Sequence, residues 1–282
     1  MKIALWQTAT PTGDDPDLTT LEADAVERAL DAVAVRAREA AEAGAVLLIA
    51  PELALSGYNI GDAARRLAEP ADGPAAERLS AVAAETGVAI LIGAPERGSD
   101  GAVYNAALFT DPSGARAVYR KAHLYGPEEK RLFAPGTARP PILSVRGLKV
   151  APLICYDVEF PEMVRAAADA GADLIAVPTA LMRPMDIVAE TLVVARAYES
   201  GVFVAYVNRC GREAALTYVG KSCLIAPDGS ELARAGADEE ALLIADVDPG
   251  GYEAYRREAP YLADLRRDLY PPPAPVASRA AD

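Results

Sequence analysis

The stretch Val150-Ala151-Pro152-Leu153-Ile154-Cys155-Tyr156-Asp157-Val158-Glu159-Phe160-Pro161-Glu162 decides how this chain is read. Val150 to Ile154 is an apolar run of strand length, and it stops at a cysteine. A helix-compatible segment, Pro161 to Ala170, begins within a few residues. A nucleophile at a sharp strand-to-helix turn is presented at the edge of a sheet, where neighbouring backbone N–H groups can bind an oxyanion. The competing reading is that Cys155 is a small core hydrophobe, as most free cysteines are. Its partners elsewhere in the chain decide between the two.

Working outward, strand-like runs occur at Lys2–Gln7, Ala45–Ala50, Val88–Ala94, Val103–Thr110, Ala115–Arg120, Leu148–Ile154, Asp173–Pro178, Val202–Val207, Ser222–Ala226 and Ala241–Val247. Helical patterns fall between them at Leu21–Ala43, Ala75–Thr86, Pro161–Ala170 and Pro184–Ser200, each followed by a glycine stop. Asp111-Pro112-Ser113-Gly114 and Pro227-Asp228-Gly229-Ser230 read as hairpin turns. Alternation mixed with hairpins implies a layered α/β domain. Residues 1–250 read as that domain. Residues 251–282, with Pro271-Pro272-Pro273-Ala274-Pro275, read as an extension whose extended proline run packs on a partner subunit.

Composition excludes several classes. The chain has 282 residues, 51% hydrophobic and 24% charged, which suits a globular core. Its net charge of −13 makes nucleic acid a poor partner. No apolar run reaches bilayer length, and the chain enters a strand at Lys2 without a leader, so a cytoplasmic location is expected. Cys155, Cys210 and Cys223 are an odd set without metal-ligand spacing, so neither a disulfide scaffold nor a metal site is expected. His123 is the single histidine.

Three further segments carry chemistry. Glu52 closes an apolar strand in Ile49-Ala50-Pro51-Glu52-Leu53, at an edge where α/β ligand sites form. Partial desolvation there raises a carboxyl pKa and suits it to proton transfer. Lys121 follows a second strand in Tyr119-Arg120-Lys121-Ala122-His123. An ammonium beside a thiol lowers the thiol pKa. Glu128 to Gly136 reads by itself as a charged loop. Taken singly, each has an ordinary reading: a solvated Glu, a surface Lys, a polar loop.

In this order the segments resemble the nitrilase superfamily of carbon–nitrogen hydrolases. The matching pieces are Pro51-Glu52, Arg120-Lys121-Ala122-His123-Leu124, Glu129 ahead of Pro135-Gly136, and Cys155 with Phe160-Pro161-Glu162. Gly171-Ala172-Asp173-Leu174, Pro178-Thr179-Ala180, Arg196-Ala197-Tyr198-Glu199, Asn208, Gly220-Lys221-Ser222 and Pro227-Asp228-Gly229 extend the match to about Val247. The resemblance implies an α-β-β-α sandwich whose subunits pair through outer helices, here Pro161–Ala170 and Pro184–Ser200, into an α-β-β-α-α-β-β-α homodimer or a higher even-numbered assembly. It implies a catalytic set of Glu52, Lys121 and Cys155 with Glu129 as fourth member, the Tyr156 N–H as oxyanion donor, and no cofactor.

Within that superfamily, Tyr156-Asp157 stands where nitrilases proper usually have Trp-Glu, which resembles the amidase branch. Val158-Glu159 lacks the basic residues that N-carbamoyl hydrolases use for a carboxylate, although Arg165 and Arg183 leave that alternative open. Ser56-Gly57-Tyr58-Asn59-Ile60-Gly61 and Tyr261-Leu262-Ala263-Asp264-Leu265-Arg266 look most like bacterial aliphatic amidases of the 5-aminopentanamidase kind. The expected reaction is hydrolysis of short aliphatic carboxamides, amino-substituted ones included, to acid and ammonia through a thioester. The alternatives are a nitrilase, an N-carbamoyl amino acid hydrolase, or a catalytically silent binding protein on the same fold. Tyr58, Thr179, Ala180 and Met182 are the candidate acyl-pocket residues. Asp186 reads as a helix-dipole partner before a substrate-ammonium partner. Cys210 is a rival nucleophile without a partner, Cys223 a core residue, and His123 a structural hydrogen bonder.

Overall fold

The fold is a computed structural model that describes residues 1–10 and 23–269. It holds two six-stranded sheets. In the first, β1 (Lys2–Gln7), β2 (Ala45–Ile49) and β3 (Ala89–Arg97) run parallel, β14 (Ala241–Asp246) and β4 (Val103–Thr110) flank them antiparallel, and β5 (Arg116–Arg120) pairs antiparallel with β4, in the order β14-β1-β2-β3-β4-β5. In the second, β7 (Leu148–Pro152), β8 (Leu174–Pro178) and β9 (Phe203–Val207) form the parallel centre. There β6 (Leu143–Val145), β12 (Cys223–Ile225) and β13 (Glu231–Arg234) complete the order β13-β12-β9-β8-β7-β6.

Alternation in β1 shows how the layers assemble. Ile3 and Leu5 point into the core shared with the second sheet. Ala4 and Trp6 point the other way, onto helices α1 (Ala23–Glu42) and α3 (Pro74–Thr86). A strand buried on both faces reads as a continuous apolar run, which is what β1, β2, β3, β8 and β9 show in sequence. Helices α5 (Pro161–Asp169) and α6 (Val193–Ser200) cover the second sheet. The result is the four-layer α-β-β-α sandwich expected from the sequence.

Both expected hairpins are present, at β4–β5 and β12–β13. The expected helix over Leu21–Ala43 spans Ala23–Glu42, and Leu21 and Glu22 lie outside the described residues. Other elements differ from the sequence reading. The single helix expected over Pro184–Ser200 is broken into a π-helical turn at Val188–Leu192 followed by α6. The expected charged loop contains helix α4 (Gly126–Leu132), with Glu129 buried on it. Helix α2 (Ala63–Leu67) and the two-residue strands β10 (Arg212–Glu213) and β11 (Leu216–Thr217) were not expected either. Beyond β14, α7 (Glu253–Glu258) and α8 (Tyr261–Asp264) pack on α6 of their own chain, with Arg256 Nε donating to the Gly201 carbonyl at 2.7 Å. Pro271 to Pro275 lie outside the described residues.

The two parallel triplets end on the same side of the molecule. The Glu52 N–H donates to the Thr179 carbonyl at 3.3 Å, and Thr8 bridges Arg209, so the carboxyl ends of the two sheets meet directly.

Candidate active site

Glu52 lies just beyond β2, on a turn in which Leu53 takes a positive φ of 50°. The turn is pressed onto β3 at Gly93. A Cβ built there would stand 2.2 Å from the Leu53 nitrogen and 2.6 Å from the Glu52 Cα. The Gly93 N–H donates to the Pro51 carbonyl, and the Leu55 N–H donates to the Gly93 carbonyl. Glu52 is fully buried. Its Oε1 accepts from Lys121 Nζ at 2.7 Å and from Asn105 Nδ2, on β4, at 2.6 Å. Its Oε2 is buried with no hydrogen-bond partner. Burial pushes this carboxyl pKa up, against the pull of the Lys121 ammonium.

Lys121 leaves β5 and is also fully buried. Gly136 allows this, because a Cβ there would meet the Arg120 carbonyl oxygen at 2.2 Å, and its N–H donates to the Lys121 carbonyl at 2.8 Å. The ammonium bonds a second carboxylate, Glu129 Oε1, at 2.7 Å. That same oxygen accepts from the Tyr58 hydroxyl at 2.6 Å, and Glu129 Oε2 accepts from the Tyr125 N–H at 2.9 Å. Burial works against the charge on Lys121, yet Glu52 and Glu129 outweigh it and hold the pKa above that of an ordinary lysine. A buried charge is tolerated only with such partners.

Cys155 follows β7 and opens a 3-10 helix, Cys155–Glu159, with φ of 44°. For a non-glycine residue this left-handed conformation costs roughly 1–2 kcal/mol, and strain of this kind gathers at functional sites. Asp157 holds the turn. It is fully buried and accepts from the Ile154 N–H, the Tyr119 hydroxyl at 2.9 Å and the His123 N–H at 2.9 Å. His123 Nδ1 also lies 2.8 Å from Asp157, and its ring stacks on Phe160 with centroids 4.0 Å apart. His123 thus has the structural role expected of it. The thiol differs from expectation. Burial and the Glu52 carboxylate push its pKa up, and Lys121, the Thr179 side chain and the Ala180 amide only partly oppose this. Burial thus disfavours the thiolate.

Tyr156, the second residue of the 3-10 helix, packs edge-on against Tyr125 and Phe160. The leading N–H groups of such a helix have no acceptor within it. Thr179 and Ala180 are fully buried beyond β8, and the Thr179 hydroxyl donates to the Tyr206 hydroxyl at 3.1 Å. Tyr58 and Met182 are half-buried, the latter bridged to Tyr218.

The remaining candidates lie elsewhere. Arg165 pairs with Glu199 in the outer helical layer, and Arg183 with Asp238 at the surface. Asp186 opens the helical stretch that leads into α6, where a helix-dipole partner is expected, and also bonds Lys221 Nζ at 2.9 Å. Cys223 is a core residue on β12, as expected. Cys210 is buried, and burial pushes its pKa up to about 11. Four residues at the site had no assigned role in the sequence reading: Asn105, Asp157, Arg209 and Glu213. Among the described residues no group of three or more His, Cys, Asp or Glu could hold a metal, and no helix is long and apolar enough to cross a membrane.

Comparison with known proteins places the chain in a family. Residues 2–257 match the carbon-nitrogen hydrolase family. A hydrolase encoded in the pqqF 5' region of Pseudomonas protegens is 48% identical over 226 residues, 79% of each chain. An (R)-stereoselective amidase from Pseudomonas sp. is 36% identical over 267 residues, 94% of this chain and 92% of that protein. A structure of a Glu-to-Gln mutant of the amidase from Nesterenkonia sp. AN1, with acrylamide joined to its active-site cysteine by Michael addition, superposes with a TM-score of 0.80. It is 37% identical and covers 95% of this chain and 98% of that one.

Proposed function

This chain belongs to the carbon–nitrogen hydrolase family, and on that premise we propose that it is a thiol amidase converting short aliphatic carboxamides, amino-substituted ones included, to carboxylic acid and ammonia. The observation that carries the reading is the buried Lys121 ammonium held between Glu52 and Glu129, with Cys155 facing them at a strained turn. The amidase names borne by the Pseudomonas and Nesterenkonia relatives support it.

In this reading the raised thiol pKa makes Glu52 the general base. As Cys155 Sγ attacks the amide carbon, its proton passes to the partnerless Glu52 Oε2. Lys121 and the Tyr156 N–H stabilise the tetrahedral oxyanion. Glu52 returns the proton to the leaving nitrogen, the C–N bond breaks, and ammonia departs from a thioester. Water then loses a proton to Glu52 and attacks the thioester carbon, and the C–S bond breaks to free acid and thiol. Glu129 orients Lys121. Tyr58, Thr179, Ala180 and Met182 line the acyl pocket. Glu159, four residues past Cys155, is half-buried and carries acid where a carboxylate-bearing substrate would need a base. The outer face of α5 and the helical segment leading into α6, where Ile187 is exposed, pair with a second copy.

The test is ammonia release from propionamide, 5-aminopentanamide, propionitrile and N-carbamoyl-β-alanine by the wild type and Cys155→Ala. Release from the amides alone, abolished in the variant, supports the reading. Release from only the nitrile or only the carbamoyl compound replaces the substrate class. No release from any, with no acyl adduct on Cys155 by mass spectrometry, points to a silent scaffold.

A further inference from the structure

The segment from Asn208 to Tyr218, which leaves β9 and turns through β10 and β11, supplies none of the groups above yet holds two of them. Arg209 is fully buried, and its Nε donates to the Glu52 carbonyl at 3.1 Å while its Nη2 donates to the Leu53 carbonyl. Glu213 is fully buried as well. It accepts from the Tyr58 N–H at 3.1 and 3.2 Å, from the Asn59 N–H at 2.9 Å and from the Tyr218 hydroxyl. A guanidinium thus grips one end of the Glu52–Asn59 segment and a carboxylate grips the other.

Both ends matter to one atom. Glu52 and, through its hydroxyl, Tyr58 set the two carboxylate oxygens that lie 2.7 Å from Lys121 Nζ. Burying two charges is costly, and packing alone would be met by apolar residues of similar size. Charged donors and acceptors aimed at backbone groups instead provide strong, directional bonds. They also hold Leu53 in its positive φ.

We propose that Arg209 and Glu213 are positioning residues that set the reach of the Glu52–Asn59 segment, so that Glu52 and Glu129 close on Lys121 together. The proposal rests on the catalytic reading given above. The groups facing the Glu52 carboxyl are Lys121 beyond β5, Glu129 on α4, Asn105 on β4, Cys155 beyond β7, Tyr58 on its own segment and Tyr218 beyond β11. Arg209 touches only backbone on the Glu52 turn. When the segment slips, Glu52 loses part of the Lys121 ammonium, its anion is less favoured, and its pKa rises further.

The experiment compares Arg209→Lys and Glu213→Gln with wild type and Cys155→Ala, measuring melting temperature, kcat and KM for propionamide, and the pH profile of kcat/KM. Lysine keeps the charge but lacks the planar fork whose separate nitrogens reach the two carbonyls, and glutamine keeps one acceptor oxygen. Each folded variant is expected to lose about 10- to 100-fold in kcat, the scale of a misplacement near 1 Å. KM should stay within about threefold on the same premise. The acidic limb of the profile should move to higher pH. A folded variant with unchanged kcat and an unmoved acidic limb overturns the proposal. So does a kcat loss that only follows the folded fraction, which is what a merely structural role produces. Arg209→Lys decides alone if Glu213→Gln does not fold. Full activity in Cys155→Ala overturns the catalytic reading and this proposal together. An inactive Cys155→Ala beside unaffected clamp variants overturns the clamp only.

Discussion

The turns that carry Glu52 and Cys155 are built by opposite means. The Cys155 turn carries its own anchor. Asp157, two residues on, accepts the Ile154 N–H, and its other donors come from Tyr119 and His123, which flank Lys121. The Glu52 turn is held from far away in sequence, by Gly93 on β3 and by Arg209 and Glu213 beyond β9. A turn whose anchor lies in its own segment leaves a compact motif in the sequence. A turn clamped by distant residues leaves only a Pro-Glu pair after an apolar strand.

The comparison can be broken most severely at its chemical ends. Cys155→Ala is expected to abolish ammonia release and to leave melting near that of wild type, because Cys155 is a small buried group. Glu52→Gln is expected to lower kcat by about 10²- to 10⁴-fold, the usual contribution of a general base. The wild-type pH profile sharpens this. Burial raises the Glu52 pKa, so the base is protonated sooner as pH falls. The acidic limb of kcat/KM should then lie above the ordinary carboxylate range and flatten in Glu52→Gln.

Smaller effects test how each turn is held. Gly93→Ala puts a methyl against backbone of the Glu52 turn. It should cost about 1–3 kcal/mol in denaturant unfolding, the range of overpacked sites, and should lower kcat without touching any reacting group. Asp157→Asn keeps the shape of the Cys155 turn but removes the charge from bonds worth about 1.5–3 kcal/mol each. Calorimetry should show a lower melting temperature, with a kcat loss smaller than that of Gly93→Ala, since donors from several neighbours still hold the turn. If Asp157→Asn instead damages kcat more than Gly93→Ala does, the contrast between the two turns fails.

Legibility followed locality. The central strands announced themselves because both faces are buried and every position is apolar. The short strands β6, β10, β11 and β13 carry exposed or half-exposed residues over two to four positions, too few for a period to register. Helix α4 hid for a related reason. Its seven residues include four charged ones, and only contact with Lys121 turns one of them, Glu129, inward. Nothing local marked Asp186 for Lys221, a partner 35 residues away.

By itself the sequence determined the layered α/β architecture, the strand-to-helix setting of Cys155, and the order of Glu52, Lys121, Glu129 and Cys155. Apolar continuity, glycine stops and short motifs act over a few residues, and a reader of the chain sees them directly. Only the tertiary structure decided that one ammonium sits between two carboxylates, that burial pushes the thiol pKa up, and that Arg209 and Glu213 grip the Glu52 turn. Those are properties of distance and desolvation between segments up to 157 residues apart, and they exist only once two sheets have packed face to face.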